Sequence, residues 1–188
     1  IEEALQNILE QIFRQPIELQ AASRTDAGVH ARCQVINFFV DHAAPDLIKL
    51  RSSLNRMLPR DISILSVSEA PPDFHPSLNA HKKEYRYYVT HGPIQYPQHR
   101  HFTWHYPVKL DLDNMRAAAK ILIGEHDFSA FCNVMKNRTY CHRKRRLDRV
   151  DIVEMEDDRL CFIIEGNSFL YKMVRNIVGT LVYVGCGK

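Results

Sequence analysis

Nine consecutive residues, Ser23-Arg24-Thr25-Asp26-Ala27-Gly28-Val29-His30-Ala31, gather what carboxylate chemistry needs: one acid, a cation, and small neighbours. Gly28 permits a tight backbone path, Ala27 and Ala31 leave room for a ligand, and Arg24 places a positive charge near Asp26. A presented aspartate serves as nucleophile or as base, while a lone loop aspartate also serves simply to close an Asx-turn. Pairing Asp26 with His30 for hydrolysis lacks an accompanying Ser or Cys nucleophile motif. His99, His101 and His105 are close in sequence, but no acidic or cysteine ligand follows at a familiar interval, so no metal site is expected.

A second concentration is charge. Lys136, Arg138, Arg143, Lys144, Arg145, Arg146 and Arg149 stand against Asp148 alone between residues 136 and 149, a local balance of +6. Such a run fits a surface that tracks phosphates, and Lys82, Lys83, Arg86 and His99-Arg100-His101 extend it.

These groups need elements to hold them. Ile1, Leu5, Ile8, Leu9, Ile12 and Phe13 recur at helical spacing. Ile17 to Ala21 and Gln34 to Val40 read as strands flanking the Asp26 loop. Leu47 to Leu58 predicts a helix stopped by Pro59, and Ile62 to Val67 a strand. From Ala80 to His91 period-two alternation puts Lys83, Tyr85, Tyr87 and Val89 on one face. Asp111 is placed to cap a helix through Leu122, with Gly124 ending it. Leu147 to Met155 and Arg159 to Glu165 predict a hairpin turning at Asp157-Asp158, and a final helix runs from about Phe169 to near Gly185. Helices interrupt groups of strands rather than follow each one, so the expected class is α+β: a mixed, mainly antiparallel sheet flanked by helices.

Composition bounds the function. The 188 residues are 45% apolar and 25% charged, enough for a sizeable core without disulfides or metal. Twenty-five Lys and Arg against 22 Asp and Glu leave +3, too little by itself to argue for nucleic acid. The apolar runs Leu160 to Ile164 and Leu181 to Val184 fall far short of the ~20 residues of a bilayer span. No basic stretch leads into an apolar block after Ile1, so no secretory signal is expected. Cys33, Cys132, Cys141, Cys161 and Cys186 form an odd set without C-x-x-C spacing, the pattern of a reduced, cytoplasmic protein.

The Asp26 nonapeptide closely resembles the Gly-Arg-Thr-Asp-Ala-Gly-Val-His motif of the TruA-type tRNA pseudouridine synthases, with Ser23 in place of the usual Gly. Three further blocks follow in family order. Lys83-Glu84-Tyr85-Arg86-Tyr87 is similar to the family's tyrosine-bearing strand, Gly124 to Phe131 to its helix-end signature, and Asn167 to Gly179 to its late helix. The family's first strand is expected before Ile1 and its closing segment after Lys188.

The resemblance implies the pseudouridine synthase fold, in which an N-terminal lobe (residues 1–79, with the Asp26 loop) and a C-terminal lobe (residues 80–188) share one active-site cleft. It implies an isomerase that moves uracil from an N1 to a C5 linkage in the anticodon arm of tRNA, positions 38 to 40, without cofactor, ATP or metal. Asp26 would be the essential carboxylate and Arg175 its cationic neighbour. Tyr85 would stack on the target base, and Arg24 would fill the space vacated when that nucleotide flips. Arg143, Lys144, Arg145 and Arg146 would contact phosphates, and two copies would share one tRNA. The alternatives are an inactive RNA-binding or RNA-chaperone domain on the same scaffold, or a small-molecule hydrolase.

Overall fold

A computed structural model describes residues 1–41, 46–134, 140 and 142–188. The chain divides into two compact units, Ile1–Ala80 and His81–Lys188.

The first unit is built on two helices. Helix α1, Glu2–Phe13, buries Leu5 and Leu9, four residues apart on one stripe, and ends in the left-handed conformation at Arg14. Strand β1, Gln20–Ala21, pairs antiparallel with β2, Ile36–Asn37. Helix α2, Leu47–Met57, starts at Asp46, whose carboxylate accepts the N–H groups of Ile48 (2.9 Å) and Lys49 (3.2 Å). Leu5, Leu9, Ile17, Leu50, Leu54 and Leu58 make its core.

Two expectations fail here for one reason: backbone groups find partners outside a ladder. The predicted strands at 17–21 and 34–40 shrink to two residues each; at the start of the first, the Ile17 N–H donates to the Glu10 carboxylate on α1 (3.2 Å) instead of to a strand. Residues 62–67 pair with no strand among the described residues. The Asn55 side chain on α2 instead accepts the Ile64 N–H (2.7 Å) and donates to the Ile64 carbonyl (2.9 Å).

The second unit is a sheet with helices. Strands β3 (Lys83–Thr90), β4 (Trp104–His105), β5 (Gly124–Asp127), β6 (Lys144–Met155) and β7 (Arg159–Gly166) lie in the order β4-β3-β7-β6-β5. Every neighbouring pair is antiparallel except β3 with β4, so the mixed, mainly antiparallel α+β expectation holds. Helices α3 (Leu112–Ile121) and α4 (Met173–Gly185) contribute Met115, Ala119, Ile177, Val178, Leu181 and Val182 to a core completed by Val89, Leu147, Val150, Phe162 and Ile164 of the sheet. The central strand β7 is buried along most of its length, as a strand with a neighbour on each side requires.

The hairpin turns where expected, with Asp157 and Asp158 both at positive φ (61° and 53°), the conformation of a two-residue primed turn. Other boundaries move. Asp111 does cap α3, accepting the Asn114 N–H at 3.0 Å, but the helix closes at Leu122 and Gly124 opens β5 instead of ending it. Helix α4 begins at Met173, not Phe169, because Lys172 takes a left-handed φ of 59° that no helix can propagate through. Strand β6 starts three residues before the predicted Leu147, which moves Lys144, Arg145 and Arg146 from a loop onto a ladder with β5.

Candidate active site

In the first unit, Asp26 sits on the long connection between β1 and β2. The neck of that connection is closed by the β1–β2 pairs, by the Ala22 N–H donating to the Val35 carbonyl (2.9 Å) and by the Gln34 amide donating to the Ser23 carbonyl. Within it, the Val29 N–H donates to the Asp26 carbonyl (3.1 Å), closing a turn over Ala27 and Gly28. Gly28 has φ +81°, the value a type II turn demands at its third residue, so glycine at this position is a backbone requirement. Asp26 is half-buried, while Arg24, Thr25, Ala27 and His30 around it are exposed. The loop therefore presents a carboxylate on a defined turn, held by its neck.

In the second unit, Tyr85 stands on β3 opposite Ile164 of β7, on the same face as Tyr87, which packs on the core, and the fully buried Val89. Its ring meets Phe169 edge-on, centroids 4.8 Å apart at 72°, the preferred geometry of an aromatic pair. Phe169 is a site residue the sequence reading did not single out. The signal was available in its place, three residues beyond the end of β7, where the chain must leave the sheet beside β3. Lys83 shares this face, and burial lowers its ammonium pKa below the ordinary 10.5. Arg86, on the opposite face, pairs with Glu84 at 2.8 Å.

Arg175 lies on the exposed side of α4. The next residue ties the helix down: the Asn176 amide donates to the Phe131 carbonyl (2.8 Å) and to Asn133 Oδ1 (2.7 Å). At the other end of that sequence block, Asn167 Oδ1 accepts the N–H groups of Arg146 (3.2 Å) and Ser168 (2.7 Å), and the Asn167 N–H donates to the Arg146 carbonyl (3.2 Å). Gly166 makes this clamp feasible, since a Cβ there would lie 2.5 Å from the Arg146 carbonyl oxygen. The motif blocks around Tyr85, Phe131 and Asn167–Gly179 are thus one connected assembly within the second unit.

The basic segment divides. Lys136 and Arg138 lie outside the described residues. Arg146 pairs with Asp148 (2.8 Å) and Arg149 with Asp151 (2.6 Å). Arg145 folds back, donating to the His142 carbonyl (3.2 Å) and the Lys144 carbonyl (2.6 Å), with its guanidinium 5.7 Å from the Tyr140 ring centre. Exposed Arg143 and Lys144 instead face Asp127, their charges adding to the hydrogen bonds of Ser129 that hold the Asp127 carboxyl below its ordinary pKa.

The histidines go to separate partners. His99 Nε2 lies 3.2 Å from Asp157 Oδ2, His101 accepts from Arg100 (2.9 Å), and His105 Nε2 is 3.0 Å from the Gly92 carbonyl. Among the described residues no three His, Cys, Asp or Glu side chains are grouped to hold a metal ion.

With this geometry in view, similarity to known proteins is decisive. A family profile described as tRNA pseudouridine synthase matches residues 118–188. A protein of Protochlamydia amoebophila (strain UWE25) named tRNA pseudouridine synthase A 2 is 52% identical over 188 residues, all of this chain and 72% of its own length. The tRNA pseudouridine synthase A of Chlamydia muridarum is 44% identical over 100% of this chain and 70% of its own, and that of Listeria monocytogenes serotype 4b is 43% identical over 92% and 68%. The chain belongs to the tRNA pseudouridine synthase family.

Proposed function

We propose that the chain isomerises uridine to pseudouridine in the anticodon arm of tRNA, positions 38 to 40, with the Asp26 carboxylate as the essential group. The observation that carries this reading is the presentation of Asp26 on the Gly28 turn, in a chain that is 52% identical over its whole length to a tRNA pseudouridine synthase. The reaction breaks the N1–C1′ bond, forms a C5–C1′ bond, returns a proton to N1 and releases the proton of C5. No electrons change hands, so neither redox cofactor nor nucleotide triphosphate is required.

Asp26 acts in its ionised form, by attacking the nucleotide or by taking a proton from its ribose. Arg175 is assigned as the cation that holds that carboxylate. Tyr85, steadied by Phe169, stacks on the flipped uracil, and Arg24, exposed on the Asp26 loop, fills the space the nucleotide leaves. Flipping costs a few kcal/mol, which stacking and phosphate contacts offset. Arg143, Lys144, Arg145 and Arg146 are assigned to phosphates; Arg143 and Lys144, exposed and without an acid within ion-pair distance among the described residues, are the best placed. A folded tRNA exceeds one unit of this size, which supports a homodimer sharing the substrate, and the absence of C-x-x-C spacing supports a cytoplasmic setting.

Tritium release from tRNA labelled at uracil C5, run beside tRNA binding, tests the assignment. Asp26→Asn should cost about a thousandfold or more in turnover while leaving tRNA affinity nearly intact. Turnover retained by Asp26→Asn would overturn it, and RNA binding by a wild-type chain without turnover would favour the RNA-binding alternative.

A further inference from the structure

The connection between β3 and β4, residues 91–103, belongs to none of the four motif blocks, yet it carries its own network of hydrogen bonds. Two turns meet at His99: its N–H donates to the Tyr96 carbonyl (3.0 Å), and its own carbonyl accepts the N–H groups of Phe102 (2.9 Å) and Thr103 (3.0 Å). The His99 ring is fastened to Asp157 of the β6–β7 turn (3.2 Å). The Thr103 hydroxyl donates to the His99 carbonyl (3.1 Å) and accepts from the hydroxyl of the buried Thr90 (3.0 Å).

What this built scaffold displays is unusual. Ile94 is 66% exposed, Phe102 56% and Tyr96 40%, and the latter two flank the anchored His99 on either side. Between them stand Arg100 and His101, both exposed. Arg86, Arg146 and Arg149 each pair with an acid, whereas Arg100 has no acid within ion-pair distance among the described residues. Asp157 of the neighbouring turn is engaged with the His99 ring. Exposed aromatic rings interleaved with an unneutralised guanidinium are the composition that binds unpaired nucleotides, rings taking the bases and cations the phosphates.

Position fixes the range of this surface. Thr90, where the connection leaves the sheet, is five residues along β3 from Tyr85, or about 17 Å at the rise of an extended strand. From the reading of Tyr85 as the target-base platform, on which this inference rests, we infer that residues 96–102 form a second RNA-contacting platform. Tyr96 and Phe102 take unpaired bases a few nucleotides from the modified uridine, and Arg100 takes an adjacent phosphate. Because the scaffold is already hydrogen-bonded, ordering it costs the complex little.

The test compares two labelled RNAs, an anticodon-arm hairpin with its unpaired loop and a blunt duplex of the same stem, by fluorescence anisotropy with the full chain. Tyr96→Ala combined with Phe102→Ala should weaken hairpin binding about tenfold and duplex binding less than about twofold, because only unpaired bases stack. Should the double variant fail to fold, Phe102→Leu, which keeps apolar bulk without the aromatic face, carries the same expectation, and Phe102→Tyr should restore binding. Arg100→Gln should lower the slope of log affinity against log salt by about one contact. With tRNA as substrate the double variant should raise KM and keep kcat.

Equal losses on hairpin and duplex, no loss on either, or a change in self-association with RNA affinity unaltered would each overturn the inference. A wild-type chain that turns over no uridine would overturn the proposed function instead, and the hairpin-against-duplex contrast would still decide this platform.

Discussion

Asp26 and Tyr85 are held by opposite means. Tyr85 stands in a strand whose eight residues, Lys83 to Thr90, are all in register with β7, and its face continues into a core of fully buried side chains. Asp26 stands in a connection bounded by two-residue strands, with a turn closed by the Val29 N–H on the Asp26 carbonyl and a closed neck. The sheet gives a ring its orientation through packing, which is robust and costly to disturb. The loop positions its carboxylate through the backbone conformation of a tight turn, which makes the glycine of that turn matter as much as its neighbouring side chains.

That contrast can be broken most sharply through stability. Phe162, at the centre of β7 and fully buried, should cost about 3–5 kcal/mol when replaced by Ala, since the site loses both transfer energy and packing. Asp26→Asn, at a half-buried loop position with nearly unchanged volume, should shift stability by no more than about 0.5 kcal/mol. Denaturant unfolding of both variants checks the pair. A comparable loss from Asp26→Asn would mean that the loop is part of the folded framework and not only a carrier of charge.

Gly28→Ala sharpens the comparison on the loop side. Among the described residues no atom beyond its chain neighbours lies within 4 Å of the added Cβ, so the cost is conformational, about 1–2 kcal/mol for an L-residue held at φ +81°. In a loop that cost appears as a shift in turn population, so turnover should fall about 5- to 30-fold at saturating tRNA while the thermal midpoint of the sheet unit stays put. An unaltered rate would show that the Asp26–Val29 turn does not aim the carboxylate.

Much of this was readable in advance, and the reasons differ by region. Helical spacing of Leu5 with Leu9 and of Leu50 with Leu54 located α1 and α2, and alternation along 83–89 placed Tyr85 on the face of Val89. What escaped was decided by side chains acting on distant backbone. Asn55 satisfies Ile64 and so replaces a predicted strand with an extended segment laid on α2; Lys172, in a conformation no propensity favours, delays α4 by a turn. The basic run looked uniform because charge counting ignores period-two alternation and local acids. On the ladder Arg145 turns back to carbonyls and Tyr140, and Arg146 and Arg149 meet Asp148 and Asp151. Fine positions in the Asp26 loop were legible because they depend on residue identity, glycine above all.

The smallest expected effect probes a place where motif and basic strand meet, opposite each other on β5 and β6. Asp127 pairs in register with Lys144, and its carboxylate accepts from the Ser129 hydroxyl and the Ser129 N–H (2.8 Å). These bonds to the charged form lead the causes that hold its pKa below the ordinary 3.8, with Arg143 and Lys144 adding a weaker attraction through solvent. A carboxyl whose folded pKa is depressed stabilises the fold above its unfolded pKa, and that contribution disappears as pH falls through the folded value. Carboxyl-detected NMR titration should therefore show Asp127 ionised well into the acid range. Ser129→Ala should move it upward more than neutralising Arg143 and Lys144 together, and added salt should affect only the smaller part. A titration governed mainly by the two cations would instead mark Arg143 and Lys144 as engaged by Asp127 and less available to phosphate, shifting the RNA-binding role of this edge to other residues.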